Sequence, residues 1–372
     1  MKFSVITVCI NCSDTIEKTI QSVLSQNGIE LEYIIIDGNS SDGTREIIKK
    51  YEAQLAYWIS EPDNGIFDAM NKGLRVASGD VISFLNAGDY YTKNILSEIQ
   101  KIFLNKNIRI VSGSISFRID NEFFTIINSD YNLERMPLHM IPHQALFTKR
   151  EVFNETGLFD TNYRLGSDYD WFLKVWIKGI DVFIVPNICA DCDGNGVTTK
   201  YPFNLSLETK QSALKQAKYM DAAVCQQIER YYESKLEKVF YEQLYEEELD
   251  PINIDFINTF LKDTDYYIWG MGRAGIRCYK IFKKNKIGIK GFIDNYKYET
   301  LKKVRMYNVY SPKEIDRHIK ICIATREHES EVEKQVISLG YTKKDYVLFS
   351  EIVKQAVIEK TGKVYEKDHK MN

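Results

Sequence analysis

Short apolar runs and helical stripes alternate along the first 90 residues. Ser4 to Ile10 is a run rich in β-branched residues, which suits a strand buried on both faces. Ile16, Ile20, Val23 and Leu24 then recur at helical spacing. Tyr33 to Ile36 predicts a second strand ending in Asp37, and Ile47, Ile48, Tyr51 and Leu55 mark the next helix. Tyr57 to Ser60 predicts a third strand. Ile66, Ala69, Met70, Leu74 and Ala77 predict a third helix, and Val81 to Leu85 a fourth strand running into Asn86-Ala87-Gly88-Asp89. This order predicts an α/β fold with a parallel sheet and helices on both faces. Such sheets bind ligands beyond the carboxyl ends of their strands, where Asp37 and Asp89 fall.

The pattern changes after residue 108. Arg109 to Ile119 and Phe123 to Ile127 predict a hairpin turning at Asp120-Asn121, followed by a short strand, Ala145 to Thr148, a helix, Tyr169 to Lys178, and a strand, Asp181 to Val185. Residues 206 to 248 are amphipathic, charged and helical. A second βαβ series starts at Tyr266 to Trp269 and continues through Lys290 to Ile293, Lys320 to Thr325 and a helix over Glu329 to Leu339. The division expected is a first domain over 1–205, a helical linker over 206–263, a small Rossmann-like α/β domain over 264–350 and a polar, frayed tail over 351–372.

Composition narrows the function classes. The chain has 372 residues, 44% of them apolar, and a formal net charge of -3. That is ample core material and no electrostatic footprint for duplex nucleic acid. No run of 18 apolar residues predicts a membrane span, and the start reads as a strand rather than a signal peptide. Seven cysteines, an odd number spread along the chain, suit free thiols in a reducing cytoplasm. The pairs Cys9/Cys12 and Cys189/Cys192 lie too far apart in sequence for a zinc ribbon.

Five strings carry the chemistry, in order: SVITVCIN, IIIDGNSSDGT, EPDNGIFDAMNKGL, GDVISFLNAGDYY and GSDYDWFLK. Together they resemble the family 2 glycosyltransferases, inverting enzymes with a GT-A nucleotide-sugar-binding fold. The resemblance covers residues 3 to 195 and is closest to bacterial members that build polysaccharides. It implies a nucleoside diphosphate sugar donor, most simply UDP-linked, and a saccharide or lipid-linked saccharide acceptor. Asp37 would accept the imide N–H of uracil, with Asn11 lining the same pocket. Asp63, Asp68, Asn71, Lys72 and Asn86 would line the donor side, with Lys72 on the diphosphate. His143 and Gln144 would lie near the diphosphate or the acceptor. Asp89 would hold a divalent ion, Mn²⁺ or Mg²⁺, although the family's Asp-x-Asp and following Asp are reduced here to one carboxylate. Asp168 matches the second position of the family's acidic pair, where Ser167 replaces the first, and would be the general base. Asp170 is its rival, and a helix N-cap is the structural alternative for Asp168.

Gly270-x-Gly272-x-x-Gly275 follows a strand and opens a helix, with Asp294 at the end of the next strand. This is the context of a second nucleotide site, with a vestigial or protein-docking module as the alternative. Two other readings stay open. One is a nicotinamide-dependent oxidoreductase built on these glycines, although no Tyr-x-x-x-Lys accompanies them. The other is an inactive nucleotide-binding protein. The amphipathic helices of 206–248 suit peripheral contact with the inner membrane face as well as packing on the catalytic domain. The oligomeric state is not legible.

Overall fold

A computed structural model of the chain describes residues 1–105, 107–119, 122–127, 141–194, 196–245, 261, 264–295, 297, 301–304, 306–325 and 328–365. It divides into two compact units. The first comprises Met1–Asn121, Ile126–Gly194 and Glu208–Ile228, and the second Glu122–Thr125, Asn195–Leu207 and Glu229–Asn372.

The first unit opens with β1 (Lys2–Cys9), α1 (Ile16–Leu24), β2 (Glu30–Asp37), α2 (Thr44–Lys50), β3 (Tyr57–Ser60), α3 (Ile66–Val76), β4 (Val81–Phe84), β5 (Tyr90–Tyr91) and α4 (Ile95–Asn105). Further on come β6 (Ile110–Ile119), β7 (Glu122–Ile127), of which Glu122–Thr125 belong to the second unit, β8 (Leu146–Lys149), α5 (Arg150–Thr156), α6 (Ser167–Ile177) and β9 (Val182–Asp193). The sheet runs β3-β2-β1-β4-β8-β6-β9-β5. β1 pairs in parallel with β2 and β4, and β8 joins β4 antiparallel. β1 reads as a continuous apolar run because both its faces are buried. Phe3 and Val5 pack with Ile16, Ile20 and Val23 on one side. Ile6 and Val8 pack with Phe67, Met70, Leu74 and Trp171 on the other. The carboxyl ends of β1, β2 and β4 therefore open together at one edge.

After β9 come α7 (Val197–Lys200), α8 (Pro202–Gln216) and α9 (Ala222–Leu244). In the second unit β10 (Asp265–Trp269), α10 (Arg273–Lys284), β11 (Gly288–Ile293), β12 (Lys303–Val304), β13 (Tyr307–Tyr310), β14 (Lys320–Ile323), α11 (Glu329–Ser338), β15 (Tyr346–Leu348) and α12 (Phe349–Thr361) follow in sequence. Their sheet runs β12-β13-β11-β10-β14-β15, parallel except for β12. The strand order reverses between β10 and β14, the usual crevice of a doubly wound sheet.

Several expectations are corrected. The helix expected over 206–248 is two, Pro202–Gln216 and Ala222–Leu244, separated by a 3₁₀ turn at Ala217–Tyr219. Both helices contribute residues to each unit. Much of the rest of the expected linker, 246–260 and 262–263, lies outside the described residues, as does the turn at Asp120-Asn121. The segment read as a frayed tail from 351 is helical to Thr361, because Phe349, Ile352, Val353, Ala356 and Val357 form a buried stripe. Residues 366–372 lie outside the described residues.

Candidate active site

The end of β2 is closed by Asp37. It is fully buried, and four donors of the chain occupy its two oxygens. Oδ2 accepts from Ser40 N–H at 2.9 Å and Ser60 Oγ at 2.5 Å, and Oδ1 from Ser40 Oγ at 2.5 Å and Cys9 Sγ at 3.5 Å. A carboxylate has about four lone-pair positions, so none is left for a base. The role expected of Asp37 therefore meets a group the turn has already saturated. Asp63 offers what Asp37 does not. A Cβ on Gly38 would lie 2.6 Å from Asp63 Oδ2 and 3.3 Å from Ile10 Cδ1, so the absent side chain at 38 makes room for the Asp63 carboxylate. Asp63 Oδ1 accepts from Gly65 N–H at 2.9 Å, and Oδ2 takes no donor among the described residues. Ile10 beside it is 59% exposed, an apolar platform next to an open acceptor.

The neighbours of Asp63 hold its loop. Asp68 Oδ2 accepts from Asn64 N–H at 3.1 Å. Lys72 Nζ donates to Pro62 O at 2.8 Å and pairs with Glu61 at 2.8 Å, so its expected place on the diphosphate is taken by loop contacts. Asn71 is also corrected: it is buried and exchanges two hydrogen bonds with the Phe159 backbone, which pins that loop to α3. Asn11, in the left-handed region at φ 47, joins the β1 end to the β2 turn through Ser40 Oγ and Ser41 N–H.

The turn after β4 carries Asp89. Its Oδ1 accepts from Asp193 N–H at 3.1 Å and its Oδ2 from Gln144 Nε2 at 3.2 Å. Burial pushes its carboxyl up to about 6, against the lowering effect of the Asp193 hydrogen bond, of nearby His143, of the Gln144 hydrogen bond and of Arg118. Cys192 also lies against this carboxyl, and a buried carboxylate raised in this way is stabilised as an anion by a cation. Among the described residues no cluster of three or more His, Cys, Asp or Glu side chains could hold a metal ion, so a divalent ion here would rest on Asp89 and take its other ligands from phosphates. Arg118 on β6, which the motifs do not single out, reaches the same turn. Its Nη2 donates to Gly88 O at 2.8 Å, its Nε pairs with Asp191 at 2.9 Å, and its guanidinium lies 4.4 Å from the Tyr90 ring centre.

Asp168 lies in the first turn of α6, whose N-cap is Gly166, so it is not the cap. Its Oδ1 accepts from Tyr169 N–H at 2.9 Å and its Oδ2 lies 3.0 Å from His143 Nδ1. His143 Nε2 lies 3.0 Å from Asn86 Nδ2. Phe84, Phe153, Phe159, Trp171 and Phe172 wall a narrow cavity of about 20 Å³ beside these two residues. Asp170 is fully buried and occupied by Lys174 at 2.8 Å and Ser212 Oγ at 2.8 Å. The two rivals thus have different surroundings: Asp168 is joined through His143 to Asn86 in the turn after β4, and Asp170 anchors the following helix.

In the second unit, Gly270 has φ 118, which favours glycine, and a Cβ there would meet Ala324 O at 2.5 Å. A Cβ on Gly275 would run into the Gly270 carbonyl, while one on Gly272 would meet nothing within 4 Å. Two glycines therefore serve packing and the middle one faces open space, as the fingerprint requires. Asp294 Oδ1 accepts from Lys297 N–H at 2.9 Å.

A family model described as glycosyl transferase family 2 matches residues 4–165. An uncharacterised glycosyltransferase of Mycobacterium tuberculosis is 30% identical over 205 residues, which span 52% of this chain and 76% of that protein. The chain belongs to the family 2 glycosyltransferases. A PGL/p-HBAD biosynthesis glycosyltransferase of Mycobacterium bovis is 27% identical over 178 residues, 46% of this glycosyltransferase and 68% of the relative. Among solved structures, S. aureus TarS 1-349 in complex with UDP is similar at a TM-score of 0.49 and 15% identity, over 69% of this chain and 75% of that one. The sheet of the first unit is the GT-A fold of the family. A second model, described as C2185-like, N-terminal, matches residues 264–347.

Proposed function

We propose that this glycosyltransferase moves a hexose, with inversion, from a UDP-linked donor to a saccharide or lipid-linked saccharide in surface polysaccharide or glycolipid assembly. The observation that carries the reading is Asp168, a carboxylate oriented by two hydrogen bonds and joined through His143 to Asn86 in the turn that bears Asp89. The acceptor hydroxyl oxygen attacks the anomeric carbon while Asp168 takes its proton, and the nucleotide leaves from the opposite face of the sugar. Asp63 Oδ2 accepts the imide N–H of the base, which lies against Ile10. A divalent ion on Asp89, Mn²⁺ or Mg²⁺, would neutralise charge on the diphosphate. The relative named for PGL/p-HBAD biosynthesis supports a glycolipid or polysaccharide acceptor. No helix among the described residues is long and apolar enough to cross a membrane. The reading places the enzyme in the cytoplasm, in peripheral contact with the inner membrane face. Residues 264–350 are read as a Rossmann-like domain in which Gly270, Gly272, Gly275 and Asp294 take a second nucleotide.

Mass spectrometry of products from a panel of UDP-sugars, with simple alkyl glycosides as acceptors, tests the reading. The wild-type protein should transfer at least one sugar with inversion. Asp168→Asn should transfer ~10²–10⁴-fold more slowly, the usual worth of a positioned base, while still binding UDP. A melting temperature unmoved by UDP with Mn²⁺, together with no transfer, would sink it. A change in NADH fluorescence on binding would favour the oxidoreductase instead.

A further inference from the structure

We propose that His143 is a positioning residue for Asp168, held as the Nδ1–H tautomer by the side-chain amide of Asn86. The inference rests on the reading of Asp168 as base and goes beyond it. Asn86 presents its amide nitrogen, which only donates, 3.0 Å from His143 Nε2, so that ring nitrogen is the acceptor, while Asn86 Oδ1 is buried with no partner among the described residues. The ring proton is then on Nδ1, which faces Asp168 Oδ2 at 3.0 Å. Which nitrogen of a histidine carries its proton is set by the bond the other one makes. With Tyr169 N–H on Oδ1 and His143 Nδ1–H on Oδ2, the Asp168 carboxylate is held in plane, and a lone pair on each oxygen stays open to a hydroxyl.

The asparagine at 86 then has a chemical reason. A carboxylate in its place would draw a proton onto Nε2 and make the ring a cation. A cation on Asp168 stabilises its ionised form and weakens it as a base. A neutral imidazole orients the carboxylate without that loss. The same 3₁₀ turn, His143–Ala145, also carries Gln144, whose amide donates to Asp89 Oδ2 at 3.2 Å. Two consecutive side chains thus hold the two carboxylates of the site in register.

Two measurements test this on the full-length protein. In long-range ¹H–¹⁵N correlation spectra, one of the five histidines should be neutral with its proton on Nδ1, and that signal should vanish in His143→Asn. In Asn86→Asp a second proton should appear on Nε2, with Nδ1–H kept by Asp168, and the His143 ring should become a cation. A proton on Nε2 of the wild-type ring, with the amide turned so that Asn86 Oδ1 accepts, would overturn the proposal whether or not the protein transfers sugar. The second measurement is kinetic, with the UDP-sugar and alkyl glycoside that the wild type turns over. His143→Leu should lower kcat ~10–100-fold, the range for partners that orient an active-site group, with donor KM within about threefold. His143→Asn keeps an N–H donor near the Nδ1 position and should recover most of the loss. A raised donor KM with kcat intact would make His143 a diphosphate contact and overturn the inference. If Asp168→Asn itself leaves transfer unchanged, the reading of the base fails instead.

Discussion

Gly38 leaves the space that the Asp63 carboxylate fills. A side chain at 38 would occupy the space of the Asp63 carboxylate, and Asp37 next to it is consumed by Ser40, Ser60 and Cys9. We therefore expect Asp63→Ala to weaken UDP binding about tenfold by calorimetric titration, the loss of roughly 1–1.5 kcal/mol for one hydrogen bond. CDP, whose base lacks the imide N–H, should bind the variant and the wild type alike. Asp37→Asn should instead act on folding and lower the melting temperature, since its amide nitrogen is set against two of the four donors. Loss of UDP affinity in a fully stable Asp37→Asn would return the base to Asp37. The motif string led to both aspartates, but not to their division of labour. That depends on which oxygen is buried, and burial is set by Ser60 on β3 and by Ile10 just past the end of β1. Arg118 was illegible for the same reason, because a lone arginine in a strand carries no local sign of the turn it reaches.

At the scale of elements, the β1 to β4 alternation was legible because strands buried on both faces must read as apolar runs. β9 was read too short. It runs to Asp193, and its polar stretch from Asn187 hides a strand whose partners lie in β6 and β5. α12 was missed because charged residues surround its buried stripe; Ile352, Val353, Ala356 and Val357 at helical spacing were the available signal. The start of the sheet holds a testable device. Glu32 on β2 is buried and accepts from Ser4 Oγ on β1, from Ser78 N–H and Oγ, and from Gly79 N–H before β4, with Lys2 also paired to it. Burial alone would raise its carboxyl, but Lys2, Ser4 and Ser78 bring it down from 4.5 to about 2. The stability this contributes is full above about pH 4.5 and is lost as pH falls toward 2. A shift of this size corresponds to roughly 3 kcal/mol. Urea titrations at pH 7, 4 and 3 should show Glu32→Gln less stable at neutral pH and less sensitive to acid than the wild type. Parallel pH curves for the two proteins would remove Glu32 from the account of acid sensitivity.

At the scale of the molecule, the chain was expected to part at 264, yet the second unit takes in residues 229–245 and 196–207. Its helical part is tied to its sheet by buried groups. Arg277 on α10 pairs with Glu242 at 2.7 Å, both side chains 2% exposed, and also donates to Thr199 O. Phe240 packs on Phe203 at 5.2 Å and on Tyr365 at 5.4 Å between ring centres. Removing residues 264–372 therefore leaves Phe203 and Phe240 without their cover, so a chain ending at 263 should bind hydrophobic dye and aggregate. The buried pair gives a sharper test without truncation. Breaking such a pair from one side leaves an uncompensated charge and costs about 3–5 kcal/mol, whereas replacing both partners by apolar groups is often neutral. Arg277→Met should lower the melting temperature of the full chain clearly, and adding Glu242→Leu should restore much of it. UDP binding, assigned to the first unit, should persist in both variants. A single variant that melts like the wild type would mean that Glu242 reaches water and that these helices are not part of the core of the second unit.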